Sequence, residues 1–254
     1  MSGAQATTRF SDRVANYVRY RPGYPGGVLQ VLRDEAGLAP GQAVADVGSG
    51  TGISAKYFLD AGHPVYAVEP NAEMRAAAEA MLGEDPRFHS VAGTAEATTL
   101  PDASVDIVVA AQAFHWFDPA GVAPEWRRIL RPGGCIVLLW NTRQTDSTPF
   151  LRAYEKLLRE HGTDYTTVNH ENVTDDALRA VLGPRFTRRV VPNAQVFDFD
   201  GLRGRLLSSS YAPNVDHPGH APMMDALRRI FHEHAQDGRV TFAYDTEIYF
   251  ARVG

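Results

Sequence analysis

The sequence predicts an α/β fold of the doubly wound kind, a parallel sheet covered by helices on both faces. Three observations carry that prediction. Short apolar runs at 43–47, 64–68, 105–110 and 135–140 read as strands buried on both sides. Stretches with helical spacing at 53–61, 71–82 and 119–130 alternate with them. The first strand runs into Gly48-Ser49-Gly50-Thr51-Gly52, with glycine at alternate positions directly before a helix start. Glycine there tolerates φ > 0 and lets backbone approach a ligand closely.

The remaining elements follow in order. Phe10, Val14, Tyr17 and Val18 recur at helical spacing over 9–20, and Arg21-Pro22-Gly23-Tyr24-Pro25 ends that helix. A second helix spans about 27–35 and stops at Gly37, and Pro40-Gly41 turns the chain into the first strand. A short strand near 88–91 precedes a loop over 92–104. Helix 119–130 ends at Arg131-Pro132-Gly133-Gly134 before strand 135–140. After Trp140 the rhythm changes. Helices are expected at 149–161 and at 174–182, the second capped by Thr174. A strand or hairpin is expected at 186–199, mostly helical chain at 203–235 around a loop over 208–222, and a long strand at 239–253. The chain therefore divides into N-terminal lid helices (1–40), a core (41–143), and cap helices with C-terminal strands (144–254), the cap being drawn from 144–182 and 203–236.

Composition narrows the function classes. At 254 residues, 44 % apolar and 22 % charged, the chain suits one globular core plus a cap. Its net charge of −5 argues against a general nucleic-acid binder. No apolar run approaches the roughly 20 residues that span a bilayer, and the first eight residues lack a signal-peptide core. The single cysteine, Cys135, permits no intrachain disulfide and no cysteine-based metal cluster. A soluble cytoplasmic protein is the expectation, with no nucleic-acid or membrane partner; its oligomeric state is open.

The glycine loop distinguishes between nucleotide sites. A dinucleotide fingerprint requires glycine where Ile53 stands, and a phosphate-cradling G-x-x-x-x-G-K-[ST] is absent, with Lys56 misplaced for it. Strand 64–68 ends in Glu69-Pro70, with Glu69 21 positions beyond Gly48. An acid there can accept both hydroxyls of a ribose, with Pro70 against the base.

With these residues in place, the chain resembles the class I S-adenosylmethionine-dependent methyltransferases, especially the small-molecule group of type 11 or 25. The matching segments are Asp46 to Gly52, Val68-Glu69-Pro70, Gly93 to Pro101 followed by Asp102 to Asp106, Ala111 to Phe117, and Leu130 to Gly134. Residues 17–25 also look like the lid of the trans-aconitate methyltransferase-like branch. The resemblance implies a Rossmann-like, mostly parallel seven-stranded sheet with an antiparallel final hairpin, and S-adenosylmethionine as cofactor. It departs from many relatives at Thr94, where they carry an acid for the adenine amino group, so that contact passes to Glu96 or to backbone.

The candidate cofactor residues are Tyr17, Arg21, Asp46, Gly48, Ser49, Gly50, Gly52, Glu69, Pro70, Met74, Thr94, Ala95, Glu96, Ala111 and Gln112. A sulfonium beside an amino-acid group calls for carbonyls and aromatic faces, which Ala111, Gln112 and the lid tyrosines offer, and Arg21 suits its carboxylate. Candidates for the acceptor pocket are Tyr20, Tyr24, Phe114, Trp116, Trp140 and Tyr211, a lining that suits a carboxylate, phenol or heteroaromatic metabolite. His115 is the candidate general base, its ordinary pKa near 6.5 suiting the task; a packed, hydrogen-bonded histidine is the other reading. Arg143, Arg203 and Arg205 are candidate partners for an acidic substrate, with solvated surface charge as the alternative. His232 and His234, two residues apart, do not share a helical face, and no metal site is expected. The alternatives to methyl transfer on a small molecule are a non-methylating reaction on the same cofactor, or a protein or RNA target.

Overall fold

The computed structural model describes residues 20–163, 165 and 173–253. Of the helix expected over 9–20, residues 9–19, with Tyr17, lie outside the described residues. Seven strands form one sheet: β1 (Val44–Val47), β2 (Val65–Val68), β3 (Phe88–Val91), β4 (Val105–Ala111), β5 (Leu130–Arg143), β6 (Thr187–Phe197) and β7 (Val240–Arg252). Their spatial order is β3-β2-β1-β4-β5-β7-β6. The first five are parallel, and β7 runs antiparallel between β5 and β6. The order reverses between β1 and β4, and that crevice is where open α/β sheets bind ligands.

Helices cover both faces, as the continuous apolar strands require. On one face, α1 (Gly26–Val31) and α2 (Ile53–Asp60) meet Val44, Val109, Val137 and Leu139 through Val28, Ala55 and Phe58. The chain widens into a π turn over Leu32–Ala36 after α1 and stops at Gly37, whose φ of +76° suits a residue without Cβ. The helix α3 (Ala72–Leu82) begins at Asn71, whose side chain accepts the N–H of Glu73 and of Met74. On the other face, α4 (Pro119–Ile129) packs Val122 and Trp126 against Val108, Ile136 and Leu138.

Beyond the sheet, α5 (Pro149–His161), α7 (Phe199–Leu207) and α8 (His220–His234) share a separate apolar cluster with Phe242 and Tyr244 of β7. These three helices are the cap. The helix α6 (Asp175–Leu182), read from sequence as part of it, instead buries Leu178 and Val181 in the cluster of Trp126. Residues 187–197 form one strand, and Arg131 to Gly134, expected as a turn, belongs to β5 as an irregularity where the register with β4 shifts.

Trp126 ties the sheet to the loop after β3. It is fully buried, and its Nε1–H donates to the carbonyl of Ala95 at 3.1 Å. Replacing Trp126 by Ala is expected to cost about 3–5 kcal/mol, the range for emptying a large aromatic site. Urea denaturation should give a lower midpoint with an unchanged slope.

Candidate functional site

The glycine loop leaves β1 at Val47 and crosses to the start of α2. Gly48 and Gly52 are required twice over: φ is +71° and +88°, and a Cβ would stand 2.7 Å from Ala113 Cβ and 2.8 Å from Leu82 Cδ1 respectively. Gly50 differs. Its φ is +56°, but the nearest atom to a Cβ there is Met74 Sδ at 3.8 Å, so glycine is required by conformation and not by packing. The N–H groups of Gly48 and Ser49 both donate to Val68 O, which binds the loop to the end of β2.

Glu69 completes that junction. Its Oε2 accepts the Gly50 N–H and its Oε1 accepts the Asn71 N–H, each at 2.9 Å. Each carboxylate oxygen has two lone pairs, so both keep acceptor capacity for a diol. The side chain is only 7 % exposed. Burial raises its pKa, while the two N–H bonds and the charge of Arg75 work against the rise. Arg75 also donates to the carbonyls of Glu69 and Pro70, fixing the turn after β2 and leaving the Pro70 ring exposed.

A second acid lies behind the loop. Asp46 is fully buried on β1, and its Oδ2 accepts the Ser54 hydroxyl at 2.7 Å. Its Oδ1 and the buried Thr51 Oγ1 have no hydrogen-bond partner among the described residues. Burial, with Glu69 nearby, pushes the Asp46 carboxyl up from 3.8 to about 7. Two acids and an orphaned carboxylate oxygen suit a ligand that is cationic or rich in hydroxyl and amino donors. A phosphate suits this site poorly.

The loop after β3 supplies the next wall. Thr94 is exposed and pairs within its own turn, its Oγ1 accepting the Ala97 N–H. Ala95 is buried, Glu96 is exposed, and Glu96 Oε1 receives the Asp118 N–H at 3.4 Å. At the end of β4, Ala111 is buried and Gln112 takes φ +60°, unusual for a residue with a side chain. Its N–H donates to Leu139 O at 2.8 Å, which anchors the strained residue to β5. Nothing in the sequence signals that conformation.

Two residues expected to line an acceptor pocket are in the core. Phe114 is 2 % exposed and Trp140 3 %, and their rings meet edge to face at 6.3 Å. The cause is strand alternation. Ile136, Leu138 and Trp140 project to the face covered by α4 and α6, whereas Val137 and Leu139 project to the other. His115 and Trp116 remain half-buried on the short 3₁₀ turn Phe114–Trp116, ring centroids 4.8 Å apart.

Residues 20–25 lie across the sheet towards the cap. The Gly23 carbonyl accepts the side-chain N–H₂ of Asn141 and of Asn193, and Thr246 donates to Asn141 Oδ1 at 2.6 Å. Tyr24 packs on Tyr57 at 5.8 Å, beside the α2 core, so it joins the sheet cover. The Tyr20 ring rests on α7 where Gly204 has no side chain; a Cβ there would come within 2.1 Å of it. Arg21 donates to Ser208 O at 3.1 Å, and half-buried Tyr211 lies in the same cap cluster. Arg203 is a surface residue near Asp200, but Arg205, also read as possible surface charge, is buried. Among the described residues no group of three or more His, Cys, Asp or Glu is arranged to hold a metal ion, and no helix is long and apolar enough to cross a membrane.

Asp46 makes stability depend on pH. The folded protein holds this proton to about pH 7, while the unfolded chain releases it near 3.8. The folded state therefore binds the extra proton between those values, and stability falls as pH rises across that window. The Asp46→Asn variant should lose less stability than the parent between pH 4 and 7 in urea titrations.

Comparison with known proteins agrees with this geometry. A family profile described as a methyltransferase domain matches residues 45–138. An uncharacterized methyltransferase of Mycobacterium tuberculosis is 42 % identical over 134 residues, 53 % of this chain and 52 % of the relative. The chain thus spans about half the length of the curated relatives it matches. An uncharacterized methyltransferase of Mycobacterium leprae is 30 % identical over 183 residues, 62 % of this chain and 67 % of the relative. The structure of a putative type II methyltransferase from Anaeromyxobacter dehalogenans has the same fold at a TM-score of 0.68, with 23 % identity over 92 % of this chain and 98 % of that one. By sequence over two thirds of a relative's length, and by a fold shared nearly end to end, the chain belongs to the methyltransferase domain family.

Proposed function

We propose that the protein transfers a methyl group from S-adenosylmethionine to a small-molecule acceptor. The observation that carries this reading is the Glu69 carboxylate, bonded to the Gly50 N–H and the Asn71 N–H where the loop after β1 meets the end of β2. It offers acceptors for a ribose diol and uses the very N–H that a phosphate would need. The bound cofactor supplies an electrophilic methyl on a sulfonium. This chain's part is to hold the acceptor in line with that methyl and to exclude water. Asp46, Thr51 and the carbonyl side of the loop suit the cofactor's amino and hydroxyl donors, and the carbonyls at Ala111 and Gln112 suit its positive charge.

A small acceptor is favoured by the cap of α5, α7 and α8 standing over the carboxyl ends of the strands, and by the net charge of −5, which discourages RNA. The trans-aconitate-like lid belongs to this proposal and rests on the Tyr17–Pro25 resemblance alone. A cytoplasmic setting is in keeping with the lone cysteine being buried. Methyl transfer from a sulfonium leaves a proton to be removed from an O–H or N–H acceptor, and His115 is the side chain we assign to that task.

Calorimetry tests the cofactor. S-adenosylhomocysteine should bind, NAD should give no heat, and Glu69→Ala should weaken S-adenosylhomocysteine by about 1.5–3 kcal/mol, roughly 10- to 150-fold. Binding of NAD in its place would overturn the reading. With methyl-labelled cofactor and a metabolite extract, His115→Ala should lower the rate of label transfer about 100-fold or more with an unchanged Tm. Loss of both would assign His115 to packing.

A further inference from the structure

Beneath the cap, the charges of three arginines, Arg205, Arg21 and Arg143, act on the hydroxyl of Tyr211. Burial alone would push that hydroxyl's pKa up, yet the arginines and a hydrogen bond with Ser209 together outweigh it and leave it below its ordinary value. The charge of Arg143 is met by Glu155, its Nη2 lying 2.5 Å from the carboxylate. Arg205 is different. It is 6 % exposed, and its partners are neutral: Nε donates to the Tyr244 hydroxyl at 3.2 Å and Nη1 to the Ser209 hydroxyl at 3.1 Å. No carboxylate pairs with it among the described residues, and a guanidinium does not shed its proton to escape burial. A second buried group beside it is unsatisfied: the Tyr154 hydroxyl has no hydrogen-bond partner among the described residues. An uncompensated buried cation is costly to keep unless something else supplies the anion.

The sheet sets where this cluster lies. Leu139 of β5 pairs with Ala111 at the end of β4, and four residues further along β5 Arg143 pairs with Tyr244 of β7. The cluster therefore stands about 13 Å past the carboxyl edge, on the side to which β1 delivers the glycine loop. The Arg21 guanidinium, which donates to Ser208 O, and the Tyr20 ring connect it to the segment that crosses the site.

We propose that Arg205, with the hydroxyls of Tyr154 and Ser209, is the anion subsite of the acceptor pocket, and that the acceptor is a small molecule carrying a carboxylate. This rests on the methyl-transfer reading for its biological meaning, though not for its chemistry. A planar guanidinium fork matches a carboxylate in two-point contact. Arg143 is met by Glu155 whereas Arg205 has only hydroxyl partners, so a carboxylate bound at Arg205 supplies the charge missing there.

The test follows thermal unfolding and calorimetric binding of benzoate, benzamide and inorganic phosphate, each with and without S-adenosylhomocysteine. The proteins are the parent, Arg205→Met and Arg205→Lys. Benzoate should bind the parent and raise its Tm, and benzamide should do neither. Arg205→Met should weaken benzoate at least about tenfold, the loss expected of one charge-assisted contact, while S-adenosylhomocysteine affinity stays within about twofold of the parent. Without ligand, Arg205→Met should unfold at a higher temperature than the parent, since it removes an uncompensated buried charge; a purely structural arginine would give the opposite. Arg205→Lys keeps the charge without the fork and should retain part of the benzoate affinity. The proposal is overturned if benzoate does not bind the parent, if Arg205→Met binds it equally, or if phosphate binds through Arg205 and benzoate does not. It is also overturned if Arg205→Met loses S-adenosylhomocysteine instead, which would assign the arginine to the cofactor's own carboxylate. Benzoate binding through Arg205 in a protein that ignores S-adenosylhomocysteine would uphold the subsite and sink the methyl-transfer reading alone.

Discussion

One carboxylate holds together the two strand ends on which the site is built. Glu69 leaves β2 and accepts an N–H from the loop after β1 and another from the helix start after β2. Gly50 at φ +56° has no packing reason to be glycine, so the loop is shaped for that contact and for whatever lies over it. The neighbouring glycines do the opposite job, letting Ala113 and Leu82 approach the backbone and fixing the loop from below. A buried acid with a raised pKa, Asp46, sits beneath. The loop is therefore rigid on its core side, and its outer side carries unused acceptors.

The second half of the chain is organised by the length of its strands. β6 and β7 pair along eleven residues and outrun β5, so that past Tyr244, the last residue paired with β5, their far ends carry Phe197 and Phe242 beyond it. The cap helices cover that projecting hairpin and build a core of their own. The segment over 20–25 joins the two cores: Asn141 and Asn193 hold the Gly23 carbonyl from the strands, and α7 receives the Tyr20 ring from the cap. A movement of the cap relative to the sheet would have to break or carry these contacts.

Much of the sheet was legible because local pattern and burial coincide. A run such as Val105 to Ala110 is apolar on both sides, and both sides are covered. The order of glycine loop, acid and strand points to the crevice from sequence alone. What was illegible depends on long-range register. Trp140 looks like a pocket aromatic until the alternation of β5 is aligned with the faces, which turns it towards Trp126 and Tyr249. Arg205, two residues from exposed Arg203, differs from it only in which side of α7 meets β7. The helix at 175–182 joins the sheet core through Leu178 and Val181, an assignment that its amphipathic pattern leaves open, since either core would accept that face. Gln112 departs from ordinary backbone for a reason visible only when Leu139 is beside it.

The contact between Glu69 and Gly50 also bears on competition inside a cell. Adenosine is common to many nucleotides, and most of them carry phosphate groups that seek the free N–H groups of a glycine-rich turn. Here the Gly50 N–H is already taken by the Glu69 carboxylate. A nucleotide that offers the same sugar with a phosphate would meet negative charge where it needs donors. On the methyl-transfer reading, discrimination would come less from added attraction for the right adenosyl compound than from repulsion of the wrong ones, with Glu69 serving both ends.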